Sequence, residues 1–158
     1  MQGVVSNKKM NNLEIKIKHY CAYQERCLQD VRCKLKEWNT EDGKIELIIN
    51  KLISEGYIDE ERFARAFVRG KFSIKSWGTQ KIIAELKKRN VKSSCIKQAM
   101  NEINSELYQE KLNKLIHKWL HTNKHEKENF KQKLFRYLLS KGYEPSDIWN
   151  GINENVVG

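Results

Sequence analysis

Apolar residues recur at spacings of three and four along most of the chain, and short polar segments interrupt them. The first such stretch runs from about Asn12 to Trp38, with a weak interruption near Tyr23 and Gln24. This spacing puts the apolar side chains on one face of a helix. The chain has a single proline and is rich in good helix formers. We therefore predict an all-α protein, and we predict that residues 1–11 form a flexible tail before the first helix.

The helical pattern repeats at intervals of about 50 residues. The matching sets are Val31, Leu35, Asn39 and Ile45, then Ile82, Leu86, Asn90 and Ile96, and then Leu134, Leu138, Gly142 and Ile148. The third member of each set is asparagine or glycine, the residues that most readily adopt the left-handed backbone that ends a helix. We therefore predict three tandem three-helix repeats, over residues 12–56, 57–104 and 105–158. Three unrelated helical hairpins are the alternative.

Capping residues mark several helix boundaries. Asp42, Asp59 and Ser93 each precede an apolar stretch. We predict them as N-caps, because the side-chain oxygen of an N-cap accepts a hydrogen bond from the first turn of its helix. Gly56 is predicted to follow the end of a helix. Pro145 is predicted in the first turn of the last helix, where a missing N–H costs nothing.

Positive charge is concentrated in the predicted second repeat. The chain has a formal net charge of +10, and the segment from Arg62 to Lys97 holds eleven lysines and arginines but a single acid, Glu85. The residues before and after this segment are nearly balanced in charge. Because almost no acidic side chain is near enough in sequence to pair with them, we expect these cations to face an anionic partner. DNA phosphates and an acidic protein groove fit equally well, and a solvated helix face is the alternative.

The candidate partner- or DNA-binding residues lie on two predicted helices and the turn between them. On the first helix, Arg62, Arg65 and Arg69 are spaced to form one stripe. Trp77 could stack on a base while Gly78 lets a phosphate approach, or it could pack where two helices meet. The full candidate set is Arg62, Arg65, Arg69, Lys71, Lys75, Trp77, Lys81, Lys87, Lys88 and Arg89.

The sequence contains no constellation typical of catalysis or of cofactor binding. A Gly-rich phosphate loop, GxSxG and HExxH are all absent. Cys21, Cys27 and Cys33 would point in different directions on a helix, so a zinc site is not expected. Three histidines spaced by four, starting at His117, are predicted to be solvated because the helix should end near Thr122. We predict a protein that is not an enzyme and that binds no metal or cofactor.

No stretch of the chain is long and apolar enough to cross a bilayer, and residues 1–12 lack the apolar segment of a signal peptide. The four cysteines form no CxxC pair and are typical of thiols in a reducing compartment. We therefore expect a cytoplasmic protein with no membrane partner, and we expect a monomer.

Several short motifs, taken in order, resemble the RecX family, the regulators of the bacterial recombinase RecA. They are Gly56-Tyr57-Ile58-Asp59-Glu60 with Arg62-Phe63-Ala64, then Gly78, Ile82 and Glu85-Leu86, then Val91 and Ile96, and finally Lys133, Leu138, Gly142-Tyr143 and Ile148. The resemblance spans roughly residues 15–153. The sequence departs from the family pattern at Glu60, where aspartate is usual, and at Asn90, where glycine is common.

The resemblance implies a fold and a role. The fold would be three tandem three-helix repeats in an elongated, curved array. The role would be that of a non-enzymatic modulator of RecA, which binds in the groove of the RecA–single-stranded-DNA filament and damps ATP hydrolysis and strand exchange. The alternative is a general nucleic-acid-binding helical protein that contacts single- or double-stranded DNA and acts independently of RecA.

Overall fold

The computed structural model describes the backbone of residues 2–156 and the side chains of residues 7–156. This part of the chain folds into nine α-helices and contains no strand, which confirms the all-α prediction. The helices are α1 (Gln2–Tyr23), α2 (Leu28–Glu37), α3 (Asp42–Ser54), α4 (Glu60–Ser73), α5 (Thr79–Lys88), α6 (Ser93–Met100), α7 (Ser105–Thr122), α8 (Phe130–Lys141) and α9 (Pro145–Asn155). Among the described residues, no helix is both long enough and apolar enough to span a membrane.

The helices pack in consecutive groups of three, α1–α3, α4–α6 and α7–α9, which we call the first, second and third units. Within the second unit, α4 packs on both α5 and α6. Within the third, α9 packs on both α7 and α8. This grouping is the tandem arrangement of three-helix units that the repeat predicts.

The backbone is left-handed at all three aligned helix ends, which confirms the repeat. Asn39, Asn90 and Gly142 have φ angles of 57°, 59° and 97°. In each case the following N–H donates to a carbonyl near the end of the preceding helix. These bonds run from Thr40 to Leu35, from Val91 to Leu86 and from Tyr143 to Leu138, at 3.1, 3.1 and 3.3 Å. The same Schellman-type closure thus ends α2, α5 and α8.

The first helix begins earlier than the apolar pattern predicts. It starts at Gln2 rather than near Asn12, because the apolar periodicity used for the prediction begins only at Leu13. The weak interruption after Tyr23 is a true helix end. At the start of α2, the Cys27 sulfur accepts the Asp30 N–H at 3.4 Å, and the Asp30 carboxylate accepts the Cys27 N–H at 3.3 Å.

The capping predictions hold at one of the three positions. The Asp59 carboxylate accepts the Arg62 N–H at 2.9 Å and caps α4. Asp42 and Ser93 are instead the first residues of α3 and α6, and the residues before them make no side-chain cap. Pro145 opens α9, and the left-handed Gly56 follows the end of α3, as predicted.

Two hydrophobic cores hold the three units. The core of the first unit consists of Ile17, Cys21, Val31, Leu35, Ile45, Ile48, Ile49, Leu52 and Ile58. The second core is continuous from Phe63 on α4 to Ile152 on α9, so the second and third units share it. Cys27 of the first unit is buried in this second core, where the first unit meets the second.

Close backbone contact joins the second unit to the third. The Gly78 N–H donates to the Lys141 carbonyl at 2.7 Å, and the Gln80 N–H donates to the Gly142 carbonyl at 3.0 Å. The buried Tyr143 hydroxyl donates to the Ser76 carbonyl at 3.0 Å. A Cβ on Gly78 would lie 2.4 Å from the Gly142 carbonyl. Gly78 therefore makes room for the third unit, which agrees with the alternative that Trp77 and Gly78 lie where helices meet rather than with the alternative of an approaching phosphate.

Candidate partner-binding surface of the second unit

The predicted arginine stripe lies on the exposed face of α4, but its charges are paired. Arg62 bonds to the carboxylate of Glu25 in the first unit, Arg65 to Glu61 at 2.7 Å, and Arg69 to Glu102 at 3.4 Å.

Arg89, at the end of α5, also has an acidic neighbour, Glu85, at 3.8 Å. The expectation that the basic segment lacks acidic partners is therefore wrong for its arginines. Three of the four partner carboxylates lie outside the segment from Arg62 to Lys97, and the fold brings them to it.

The lysines of the candidate set differ from its arginines. Five lysines of the candidate set form no ion pair with any of the described residues: Lys71, Lys75, Lys81, Lys87 and Lys88. Three of them, Lys75, Lys87 and Lys88, are exposed. These side chains contribute positive charge that no neighbouring carboxylate offsets, so the lysines carry most of the attraction for an anion at this surface.

Trp77 is the centre of an aromatic–cation cluster formed by Phe67, Lys71, Trp77, Lys81 and Arg89. The half-buried Trp77 ring meets Phe67 edge-on, with 6.4 Å between ring centroids. The ammonium groups of Lys71 and Lys81 lie 4.8 and 4.4 Å from the centre of the Trp77 ring. The Arg89 guanidinium lies 5.3 Å from the centre of Phe67. Trp77 thus packs between helices and holds two cations by its ring.

The candidate residues are divided between two sides of α4. Each residue advances about 100° around a helix, so Lys71 lies roughly 200° from Arg69. The arginine stripe faces one side, and the aromatic–cation cluster, with Lys75 nearby, lies towards the first unit. Lys87 and Lys88 lie on the exposed part of α5, near its C-terminus. The count of charges along the sequence indicated that the second unit is basic. The geometry of its helices places these basic residues on two different sides of the unit.

A groove between the first and second units was not predicted. It has a volume of about 390 Å³, with Glu25 and Asp30 on the first-unit side and Ala66, Gly70 and Ile74 among the residues on the α4 side. The sequence offered one signal for it, a glycine inside the predicted helix, since such a glycine often marks a close approach to the backbone.

The other side chains that the sequence analysis singled out are the cysteines and the histidines. Burial raises the pKa of the Cys21 and Cys27 thiols to about 11, so both are protonated and unreactive near neutral pH. The described residues contain no cluster of His, Cys, Asp and Glu that could hold a metal ion. His117 and His121 are exposed on α7, and His125 lies beyond the end of that helix at Thr122, as predicted.

The fold and this surface define a helical protein of tandem three-helix units with a basic middle unit. The sequence comparison identifies its family. Residues 59–100 match the second three-helix domain of RecX, and residues 106–150 match the third. The chain belongs to the RecX family.

Relatives and solved structures agree with this assignment. A "Regulatory protein RecX" of Halalkalibacterium halodurans is 32% identical over 130 residues, which cover 79% of this chain and 47% of that protein. A protein of the same name from Prosthecochloris aestuarii is 27% identical and is matched over 85% of this chain and 87% of its own length. The chain therefore spans about half the length of the first relative and most of the second.

The crystal structure of RecX from Lactobacillus salivarius superimposes with a TM-score of 0.80 at 25% identity, covering 94% of this chain and 97% of that one. A second crystal structure of a regulatory protein RecX gives a TM-score of 0.84 at 25% identity, over 97% and 77% of the two chains. The fold seen here is thus the fold of solved RecX proteins.

Proposed function

We propose that this protein regulates the recombinase RecA by binding the filament that RecA forms on single-stranded DNA, and that it damps ATP hydrolysis and strand exchange without catalysing a reaction itself. Membership of a family whose relatives are named regulatory proteins supports the regulatory part. The observation that carries the proposal is the set of lysines in the second unit without a carboxylate partner among the described residues.

Charge favours the second unit as the surface that meets the filament. Residues 57–104 hold eleven basic and five acidic side chains, whereas residues 12–56 hold equal numbers of each. Opposite charges attract over a Debye length of about 8 Å at physiological salt, so a local excess acts on a partner before contact. An anionic filament would therefore approach the second unit first.

Tandem units suit a helical filament because successive units can reach successive subunits. Once one unit is bound, its neighbours are held close to their own sites at a high effective concentration, and weak contacts then add. The continuous core of the second and third units would keep these two at a fixed spacing. The first unit has its own core and would contact the filament separately.

The second candidate function is nucleic-acid binding without RecA. The lysines of the second unit without a carboxylate partner among the described residues favour it, because positively charged surfaces follow the backbone of a single strand. Binding of this kind weakens steeply as salt increases. The proposed role instead requires binding to the filament at salt concentrations where bare DNA is released.

The test measures the DNA-dependent ATPase of RecA with this protein at substoichiometric amounts, together with its co-sedimentation with RecA filaments and with naked single-stranded DNA. We expect inhibition, and sedimentation with the filament but not with naked DNA. A Lys87→Glu/Lys88→Glu variant should lose most of the inhibition. The matched control, Lys118→Glu/Lys127→Glu, makes the same charge change on exposed lysines of the third unit and should keep it. Full ATPase activity in the presence of the wild-type protein would refute the proposal.

A further inference from the structure

The groove between the first and second units has features that the fold does not need. The two units have separate cores, and between them lies an open cleft of about 390 Å³. Ile74, on the α4 side of this cleft, is 80% exposed. Burying apolar surface stabilises a fold by about 25 cal/mol for each Å², and an isoleucine this exposed contributes little of that stabilisation. The cleft therefore presents apolar surface that nothing in the described chain covers.

Gly70 leaves the backbone of α4 accessible in this groove. A Cβ added there would meet no atom within 4 Å, and the residue does not have a positive φ. Neither packing nor backbone conformation requires glycine at this position. A glycine inside a helix is less stable than alanine by roughly 0.5–1 kcal/mol, so this residue weakens α4 without structural benefit. A bound group that closely approaches the helix backbone would account for it.

The groove has no bare aromatic face for a nucleobase. Lys71 and Arg89 lie 5.4 and 5.3 Å from the centre of the Phe67 ring, and Trp77 meets the same ring edge-on. The apolar surface that remains belongs to Ala66, Gly70 and Ile74 and is aliphatic in character. Such a surface suits an aliphatic or aromatic side chain of a protein better than a stacked base.

The charges of the groove also favour a protein segment over a nucleic-acid strand. On the α4 side, Lys71 and Lys75 have no carboxylate partner among the described residues. On the opposite side, Glu25 pairs with Arg62, and the Asp30 carboxylate accepts the Cys27 N–H. A polynucleotide carries a phosphate at every residue and would place phosphates beside these two carboxylates. A peptide carries charge only at its ionisable side chains, so it can place a single carboxylate beside the lysines and leave the region near Glu25 and Asp30 uncharged.

We propose that this groove binds a short segment of a partner protein, with one apolar side chain seated over Gly70 and Ile74 and a carboxylate beside it that pairs with Lys71 and Lys75. The site goes beyond the proposed function, because it adds an apolar anchor at Gly70 and Ile74 that the attraction of an anionic filament does not use, and its occupant need not be RecA. An apolar anchor in a pocket with a charged neighbour is a common way for a small surface to recognise a peptide.

The test uses a fluorescein-labelled peptide of Ser and Gly residues with one central leucine and one aspartate beside it. Its binding to the full chain is measured by fluorescence anisotropy. Control peptides replace the aspartate by asparagine or the leucine by serine, and a labelled oligo(dT) serves as the nucleic-acid probe. We expect saturable binding of the acidic peptide, and binding at least about tenfold weaker for both peptide controls, because each lacks half of the recognition.

Two pairs of variants test whether the peptide binds in the groove. Gly70→Leu should weaken binding by about tenfold or more, because it fills the space above α4. Gly70→Ala should change binding less than about threefold. Both variants should unfold at or above the wild-type temperature, since each replaces a helical glycine, and this excludes misfolding as the cause. Lys75→Gln should weaken the acidic peptide but not its asparagine control, whereas Lys97→Gln on α6 should affect neither.

Three results would overturn the proposal. The first is the absence of saturable binding by the acidic peptide to the wild-type chain. The second is equal binding of that peptide by Gly70→Leu and by the wild type. The third is oligo(dT) binding that is lost in Gly70→Leu, which would assign the groove to nucleic acid instead. None of these results bears on RecA inhibition, so failure here is distinguishable from failure of the proposed function.

Discussion

Replacing Gly78 by alanine should separate the second unit from the third. The added Cβ would lie 2.4 Å from both the carbonyl carbon and the carbonyl oxygen of Gly142, and 2.5 Å from the Tyr143 nitrogen. Backbone atoms at these distances must move apart by about 1 Å or more to reach ordinary contact, since carbon atoms pack at about 3.5–4.0 Å. No flexible side chain is available to yield, because all three atoms belong to the backbone.

The cost follows from the contacts that this movement would break. Three of the hydrogen bonds that cross the junction lie beside this contact: Gly78 to Lys141 at 2.7 Å, Gln80 to Gly142 at 3.0 Å, and Tyr143 to Ser76 at 3.0 Å. Each contributes about 0.5–1.5 kcal/mol, and overpacking adds about 1–3 kcal/mol. We therefore expect the free energy of unfolding to fall by about 2.5–7.5 kcal/mol, which lowers the melting temperature by about 5–30 °C for a chain of this size.

The measurement is urea denaturation followed by far-ultraviolet circular dichroism, with thermal melting as a second readout. Gly43→Ala is the matched control, because a Cβ at Gly43 in α3 meets nothing within 4 Å. It should leave stability unchanged or raise it by up to about 1 kcal/mol. If Gly78→Ala unfolds within about 0.5 kcal/mol of the wild type, the junction is not the close backbone contact described here, and the reasoning fails.

Three further predictions concern other parts of the chain. Asn90→Ala should destabilise the protein by about 1 kcal/mol in urea denaturation, because alanine tolerates a φ of 59° poorly. Asn90→Gly should be neutral or stabilising. Equal stability of the two variants would contradict this prediction. A maleimide at pH 7 should label the exposed Cys33 quickly and should label Cys21 and Cys27 only after unfolding, because burial keeps these two thiols protonated. Mass spectrometry of the labelled peptides measures the order of labelling. Burial raises the pKa of Tyr108 to about 12 and also raises the pKa of Tyr143 and Tyr20, so the stabilisation is complete below the unfolded pKa of about 10 and is lost as pH rises from there. Tyrosinate absorbance should show these tyrosines titrating late, and stability that rises above pH 10 would contradict the sign.

The helix ends were predictable because their causes are local. A left-handed backbone is favoured by a few residue types, and Asn39, Asn90 and Gly142 stand at equivalent places in the three sets. The cap at Asp59 depends only on the residue itself and the next turn. Features of this kind require no knowledge of what the rest of the chain does. The three-unit organisation followed from them.

The pairing of Arg62 and Arg69 was not predictable, because their partners are distant in sequence and only the folded chain brings them close. Arg65–Glu61 and Arg89–Glu85 are i,i+4 pairs on one helix, and the helical spacing alone could have predicted them. Glu25 is 37 residues from Arg62 in sequence, and Glu102 is 33 residues from Arg69. A count of charges along the segment cannot include such partners. The two alternatives for Trp77 and Gly78 could not be separated for the same reason, since the group that fills the space beside Gly78 comes from the third unit. Long-range contacts thus determine which charges of the candidate surface remain available.

The division between paired arginines and unpaired lysines bears on how the second unit would recognise a partner. Arginine binds a carboxylate or phosphate in a fixed forked geometry, whereas lysine is a compact charge on a flexible stem with little geometric preference. In this chain Arg62, Arg65 and Arg69 bond to carboxylates of the protein itself, so they are occupied within the fold. The remaining lysines attract any dense array of negative charge. Under the proposed function, discrimination between a protein-coated filament and a bare strand would therefore have to come from the spacing of the units and from sites such as the proposed peptide groove beside Gly70, where shape and apolar contact add to charge.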